Sequence, residues 1–318
     1  MNSYTQKSIL LFAFVAAALV ANAQEINKTF SGVKKIKINT SSGDLILAKG
    51  SSNDVQVKVT FTYGTDEYQP VFEQSGSTLT LKEDFNKRSV SGKSTWTLTI
   101  PDGLELRASS GSGDVEASDL KVTISANTGS GNYNWKNVTG DSDINTGSGD
   151  ISLDAYHGNI DLNTGSGDIR LDKTTGDVHA NTGSGNIAMA NVKGGITANT
   201  GSGNIKAQEL NLTSKGSFNS GSGTVVLVLS SPLTHNLSLN SGSGDAVLDC
   251  KGTKLEGKLI MTASKKHGQI KAPFTFDKTE ELNDNGNDNV NIRKTVQLGT
   301  SDVEIKISTG SGTAEVRK

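Results

Sequence analysis

The stretch Asn145-Thr146-Gly147-Ser148-Gly149-Asp150-Ile151-Ser152-Leu153 decides the fold. Nine residues after Asp150-Ile151-Ser152-Leu153 comes Asn159-Ile160-Asp161-Leu162, and nine further on Asp168-Ile169-Arg170-Leu171. Asp177-Val178-His179-Ala180 and Asn186-Ile187-Ala188-Met189 continue the series, and Ile196 closes it. Each unit is a turn followed by a short run in which apolar and polar residues alternate. That period of two, with β-branched side chains, marks strands. It points Ile151, Leu153, Ile160, Leu162, Ile169, Leu171, Val178, Ile187 and Ile196 inward. Ser152, Asp161, Arg170, His179 and Thr197 point outward.

Two units make a longer repeat. Gly-Ser-Gly begins at Gly111, Gly129, Gly147, Gly165, Gly183 and Gly201, at one constant spacing of two nine-residue units. It returns at Gly221, Gly242 and Gly310. A fixed period of this size means a solenoid or a related array. An antiparallel meander would also fit nine-residue units, but a single layer cannot bury its apolar face, whereas coiled strands bury theirs against the opposite wall. The expectation is therefore an all-β parallel β-helix or solenoid with 18-residue coils, each made of two nine-residue strand–turn units. At roughly 4.8 Å per coil, five regular coils span on the order of 25 Å. Asn127, Asn145, Asn163, Asn181 and Asn199 should stack as an amide ladder. Thr128, Thr146, Thr164, Thr182 and Thr200 should form a second ladder. The glycines are expected to supply positive φ at sharp bends.

Three segments follow from this reading. Residues 1–23 form a signal peptide: Lys7, an apolar run from Ile9 to Val20, then Ala21-Asn22-Ala23, with cleavage before Gln24. The run is too short for a comfortable membrane span of about 20 residues. No second long apolar segment follows, so no transmembrane segment is expected after cleavage. Residues 24–107 lack the repeat register but are strand-like and more aromatic, as an N-terminal cap with irregular first coils would be. Residues 108–318 are the repeat solenoid, with irregular coils toward the C-terminus and an exposed loop at Asn283–Asn289. Export leaves three compartments open: periplasm, outer-membrane surface or extracellular space.

The leader Ile100-Pro101-Asp102-Gly103-Leu104-Glu105-Leu106, running into Ser110-Gly111-Ser112-Gly113-Asp114-Val115 and the Thr-Gly-Ser-Gly-Asp-Ile reiterations at Thr146 and Thr164, resembles the bacterial "putative adhesin" family of β-strand repeat proteins. The resemblance covers most of residues 30–318. It implies a right-handed parallel β-helix in an exported, often surface-associated protein. It transfers no catalytic residue.

Composition narrows function further. The chain has 318 residues, 31 basic and 33 acidic side chains, one Cys and four His. A near-zero net charge argues against a nucleic-acid partner. A single Cys excludes internal disulfides and cysteine zinc sites. Calcium is the one cofactor worth weighing, since Asp114, Asp150, Asp168 and Asp245 each follow a Gly-Ser-Gly. The order differs from calcium β-rolls, and Asn132, Asn186 and Asn204 take the place of Asp in other coils. An Asn carbonyl is a weaker ligand than a carboxylate. Asp or Asn capping its own turn is the simpler reading, and no cofactor is expected. The Asn283–Asn289 loop fails the EF-hand pattern, with Ile292 where a bidentate Glu is needed.

Catalysis on polysaccharide would need clustered carboxylates at a defined separation. Asp143, Asp154 and Asp161 are candidates, with Arg170 and Lys206, but no nucleophile–base constellation is visible and an enzyme is not expected. His157 and His179 are off the 18-residue register; His235 and His267 are isolated. Cys250 reads as a small buried residue. Tyr133, Trp135 and Tyr156 could form an exposed aromatic patch suited to a glycan or protein, or could simply pack against the solenoid. The function expected is adhesive or scaffolding, by surface binding. A calcium-stabilised β-roll-like module is the alternative, and a polysaccharide-active enzyme the third reading.

Overall fold

The computed structural model describes residues 23–283 and 290–318. The expected signal peptide, apart from Ala23, and all of the expected 283–289 loop but Asn283 lie outside them. The described residues contain 28 strands and no helix. They wind into a parallel β-solenoid with two long sheets. One sheet runs through Thr123–Thr128, Ser142–Thr146, Ile160–Thr164, Val178–Thr182 and Lys193–Thr200, each residue pairing in parallel with its equivalent one coil on. The other runs through Val115–Lys121, Tyr133–Thr139, Ile151–Asp154, Ile169–Asp172 and Ile187–Ala190 in the same register. A minor third ladder joins them at single bridges, Thr139 to His157 to Thr175 to Lys193.

Alternation builds the core as expected. Ile151, Leu153, Ile160, Leu162, Ile169 and Leu171 are all at most 1% exposed. Each contributes about 1.5–3 kcal/mol by leaving water. A third inward column adds Val138, Tyr156, Thr174, Val192 and Leu210, one per coil at the corner between the two strands.

The turns work differently from the expectation. The Gly-Ser-Gly glycines do not occupy the left-handed region; the left-handed glycines of the regular coils are Gly140, Gly158, Gly176 and Gly194, in the other turn. Close approach is what requires Gly here. A methyl on Gly149, Gly167 or Gly185 would fall well under 3.0 Å from the carbonyl of the glycine one coil earlier. The threonines do not bond each other either. Thr164 Oγ1 donates to Gly149 O of the previous coil (2.9 Å) and accepts from Gly167 N–H of its own turn (3.0 Å). Thr146, Thr182 and Thr200 repeat this pair. Each hydroxyl thus stitches one turn to the next.

The opposite corner carries strain. Asp119, Asn137, Ala155, Lys173, Asn191 and Glu209 recur once per coil, with φ between 49° and 57°. A left-handed L-residue costs roughly 1–2 kcal/mol, partly offset on replacement by the larger chain entropy that Gly loses. Ala155→Gly is therefore expected to stabilise by about 0.5–1 kcal/mol, read as a higher urea midpoint at unchanged slope. A lower midpoint would contradict it.

Both ends are closed by chain that doubles back. Lys35–Thr40 and Asp44–Lys49 form the first coil in sequence, yet Thr78–Phe85 and Ser94–Ile100 stack on one side of it and Glu105–Ser110 and Val115–Lys121 on the other. At the far end Glu304–Thr309 and Thr313–Arg317, last in sequence, lie between Leu237–Ser241 with Ala246–Asp249 and Gly257–Ser264 with Gln269–Lys271. Antiparallel strands finish the edges: Val55–Phe61 and Gln24–Phe30 on one sheet, Tyr68–Ser75 on the other, and Val290–Leu298 with Lys278–Asn283 at the C-terminal end. Phe61, Tyr63, Tyr68 and Trp96 are buried in the N-terminal end, where Tyr63 and Tyr68 stack at 4.8 Å. Glu83 caps that end. Its Oε2 accepts Ser41 N–H (2.7 Å), and its Oε1 accepts from Ser94 Oγ, Tyr68 OH (3.2 Å) and Trp96 Nε1 (3.4 Å).

Candidate binding surfaces

The outer faces are columns of side chains repeated once per coil. One of them is the asparagine ladder. Each Nδ2 donates to the Oδ1 one coil earlier, from Asn145 onto Asn127 through Asn163, Asn181, Asn199, Asn219 and Asn240, at 2.6–3.1 Å. Ser308 Oγ extends it by donating to Asn240 Oδ1. The ladder is two rungs longer than the five expected, because the looser, longer coils that carry Asn219 and Asn240 still stack in register. Each internal amide spends one N–H and one lone pair along the axis; Asn145, Asn219 and Asn240 give their second N–H to Asp143 Oδ1, Ser217 Oγ and Ser238 Oγ, and Asn163, Asn181 and Asn199 keep theirs for a partner. Beside it runs a column of small polar groups, Thr197, Ser217 and Ser238, continuing Asp143, Asp161 and His179.

A second ladder accounts for the four aspartates weighed for calcium. All are exposed. Asp114 Oδ1 accepts the N–H of Asn132 (2.7 Å), Asp150 that of Asp168 (2.8 Å), Asp168 that of Asn186 (2.7 Å) and Asp245 that of Thr313 (2.7 Å). The amide oxygens of Asn132, Asn186 and Asn204 do the same for Asp150, Asn204 and Thr224. The bond thus goes to the next coil and not, as a local turn cap would have it, to the residue's own turn. Either a carboxylate or an amide oxygen serves, which explains why Asp and Asn interchange here. Among the described residues, no group of three or more His, Cys, Asp or Glu is placed to hold a metal.

The aromatic patch is corrected. Tyr133, Trp135 and Tyr156 are each 1% exposed and belong to the core. Tyr133 and Trp135 pair with Ile151 and Leu153 of the next coil, so the same alternation that turns those inward turns the aromatics inward. Their rings meet edge-on at 6.2 Å. Tyr133 OH donates to Asn145 O (3.3 Å), and Tyr156 OH donates to the carbonyls of Gly140 and Asn159. Burial pushes the Tyr156 phenol up to about 12 and that of Tyr133 further. The register of Tyr133-x-Trp135 after Gly131-Asn132 was the signal for this placement.

The carboxylates considered for catalysis do not converge. Asp143 and Asp161 are neighbours in one sheet, but Asp154 lies in the other, where it pairs with Asp172 and faces Lys173 at 3.5 Å. Asn191 and Lys173 hold the Asp172 carboxyl below its usual range. Arg170 and Lys206 flank Ala188 from either side, two coils apart. His157, His179, His235 and His267 are exposed and separate. Cys250 is buried, and burial followed by Asp249 raises its thiol to about 11.

A family model described as Toastrack DUF4097 matches residues 33–231. Among solved structures, a "putative adhesin" from Bacteroides fragilis is 12% identical, covers 92% of this chain and 97% of its own, and has a TM-score of 0.36. One from Parabacteroides merdae, also 12% identical, covers 93% and 96% at 0.33. A "putative lipid binding protein" from Parabacteroides distasonis is 17% identical and covers 74% and 91% at 0.39. No curated protein matches.

Proposed function

Because the chain belongs to the Toastrack DUF4097 family, we propose that it is an exported cell-envelope solenoid that adheres to, or scaffolds, an extended partner such as a glycan or a surface protein. It does so by surface contact and not by catalysis. The observation that carries this reading is the continuous flat face built on the asparagine ladder. Its seven stacked amides set one polar rung per coil, and a repeated surface suits a repeated ligand. Residues 24–107 serve as the cap and residues 108–318 as the body carrying that face. Cleavage before Gln24 would leave the strand Gln24–Phe30 whole.

Protease shaving of intact cells, with a periplasmic protein as control, tests the location. The protein should be cut while the control survives. Sparing until the outer membrane is opened would rule out direct adhesion. The face itself is tested by Thr197→Arg with Ser217→Arg. Both side chains point outward, so attachment should fall while the melting temperature holds.

A further inference from the structure

The two ends of the solenoid are not closed equally. The N-terminal end is filled by buried aromatics. At the C-terminal end one sheet stops at Gln269–Lys271, a strand of three residues that pairs with Thr313, Ala314 and Glu315 only. Pro273 lacks the N–H to continue the ladder. Chain 272–276 crosses the opening, with Phe274 and Phe276 only half-buried. Beneath it lies a cavity of about 470 Å³ walled by Cys250, Leu255, Phe274 and Leu298. That size falls within the ~300–1,000 Å³ of small-molecule sites.

The charged side chains at its rim are all basic. Lys254 and Lys318 line the cavity, and no Asp or Glu side chain does. Lys254 pairs outside it with Glu256 (2.6 Å), and Lys318 Nζ sits 5.3 Å above the Phe274 ring. The nearby Asp249 carboxylate accepts Lys251 N–H (2.8 Å). An apolar floor under an ammonium rim matches one kind of ligand: an apolar chain with an anionic head.

We propose that this cavity binds a small amphiphilic anion of the medium-chain carboxylate class, its chain against Leu255, Leu298 and Phe274 and its head at Lys318. The site lies away from the asparagine-ladder face, so it stands or falls independently of the adhesive reading. Cys250, the chain's one cysteine, lines the cavity and reports on it. Decanoate, below its micelle concentration, should slow maleimide labelling of Cys250 in the purified protein on the order of tenfold at saturation. Decyltrimethylammonium should not. Lys318→Glu, an exposed position, should weaken decanoate protection roughly fivefold, and Phe274→Ala should weaken protection by decanoate and decanol alike. The melting temperature of each variant checks that the fold is retained. Absence of protection by decanoate, equal protection by the cationic amphiphile, or an unchanged response in Lys318→Glu would each overturn the proposal.

Discussion

Gly167→Ala is expected to cost more than about 4 kcal/mol, in the range reached by few single substitutions. The added methyl would lie under 3.0 Å from the carbonyl oxygen and carbon of Gly149 and from Thr164 Oγ1. Two of these atoms are backbone of the neighbouring coil, and the third is the hydroxyl that ties the two turns together. None can step aside without opening the stack. Two controls isolate the cause. Gly76→Ala meets nothing within 4 Å but has φ of +56°, so it should cost only the left-handed penalty of roughly 1–2 kcal/mol. Ser166→Ala, on the exposed tip of the same turn as Gly167, should stay within about 0.5 kcal/mol. Because each coil touches only its neighbours, damage at Gly167 should also split urea unfolding into two transitions, one for each side of the break. If Gly167→Ala costs no more than Gly76→Ala, close approach is not what fixes glycine there.

What the sequence disclosed, and what it hid, follows from the range of each interaction. The rows headed by Ile151 and Ile160 were legible because alternation along a strand is local and the regular coil length repeats it. The third inward column was not, since Val138, Tyr156, Thr174 and Val192 appear once per coil beside a corner, where no period of two exists. Tyr156 therefore stands in the sequence as no more than a candidate for an aromatic patch. The glycine pattern was legible and its cause was not, because the carbonyl that forbids a side chain on Gly149 belongs to Gly131, a full coil earlier. The ends were the least legible. Gly310 stacks on Gly242, and Gly111 on Ser41, pairings between distant parts of the chain that leave no local trace. One trace did exist: Thr40-Ser41-Ser42-Gly43-Asp44 is the turn motif with Ser in place of the first Gly. The side chain at Ser41 is tolerated because the coil beneath it has no Gly-Ser-Gly turn, and the Glu83 carboxylate receives the Ser41 N–H instead.

The doubled-back C-terminus leads to the other large effect. Removing residues 304–318 should unfold the C-terminal end and make the protein aggregate. Glu304–Thr309 pairs on both sides, with Leu237–Ser241 and Gly257–Ser264, and Thr313–Arg317 likewise joins Ala246–Asp249 to Gln269–Lys271. Its loss therefore empties a slot inside the stack. Ile305, Ile307, Ala314 and Val316 leave the core together, worth several kcal/mol of burial at about 1.5–3 kcal/mol for each large side chain. Two long strand edges lined with apolar residues are then bare, the arrangement that recruits other chains. Hydrogen exchange should show protection lost across residues 257–264 and 290–298 but kept at 123–200, because a solenoid passes damage only from neighbour to neighbour. Deleting Gln24–Phe30 is the contrast. That strand pairs on one side only and has no fully buried residue, so its removal should leave the stack protected. A peptide spanning residues 300–318, added to the truncated protein, should restore protection at 257–264 and 290–298, since the slot it fills is defined on both faces. The same peptide carrying Gly312→Val should fail, because a side chain there meets the Gly244 carbonyl. If truncation leaves exchange at 257–264 and 290–298 unchanged, the coil of residues 304–318 is only an appendage and its place between two others adds nothing to the fold.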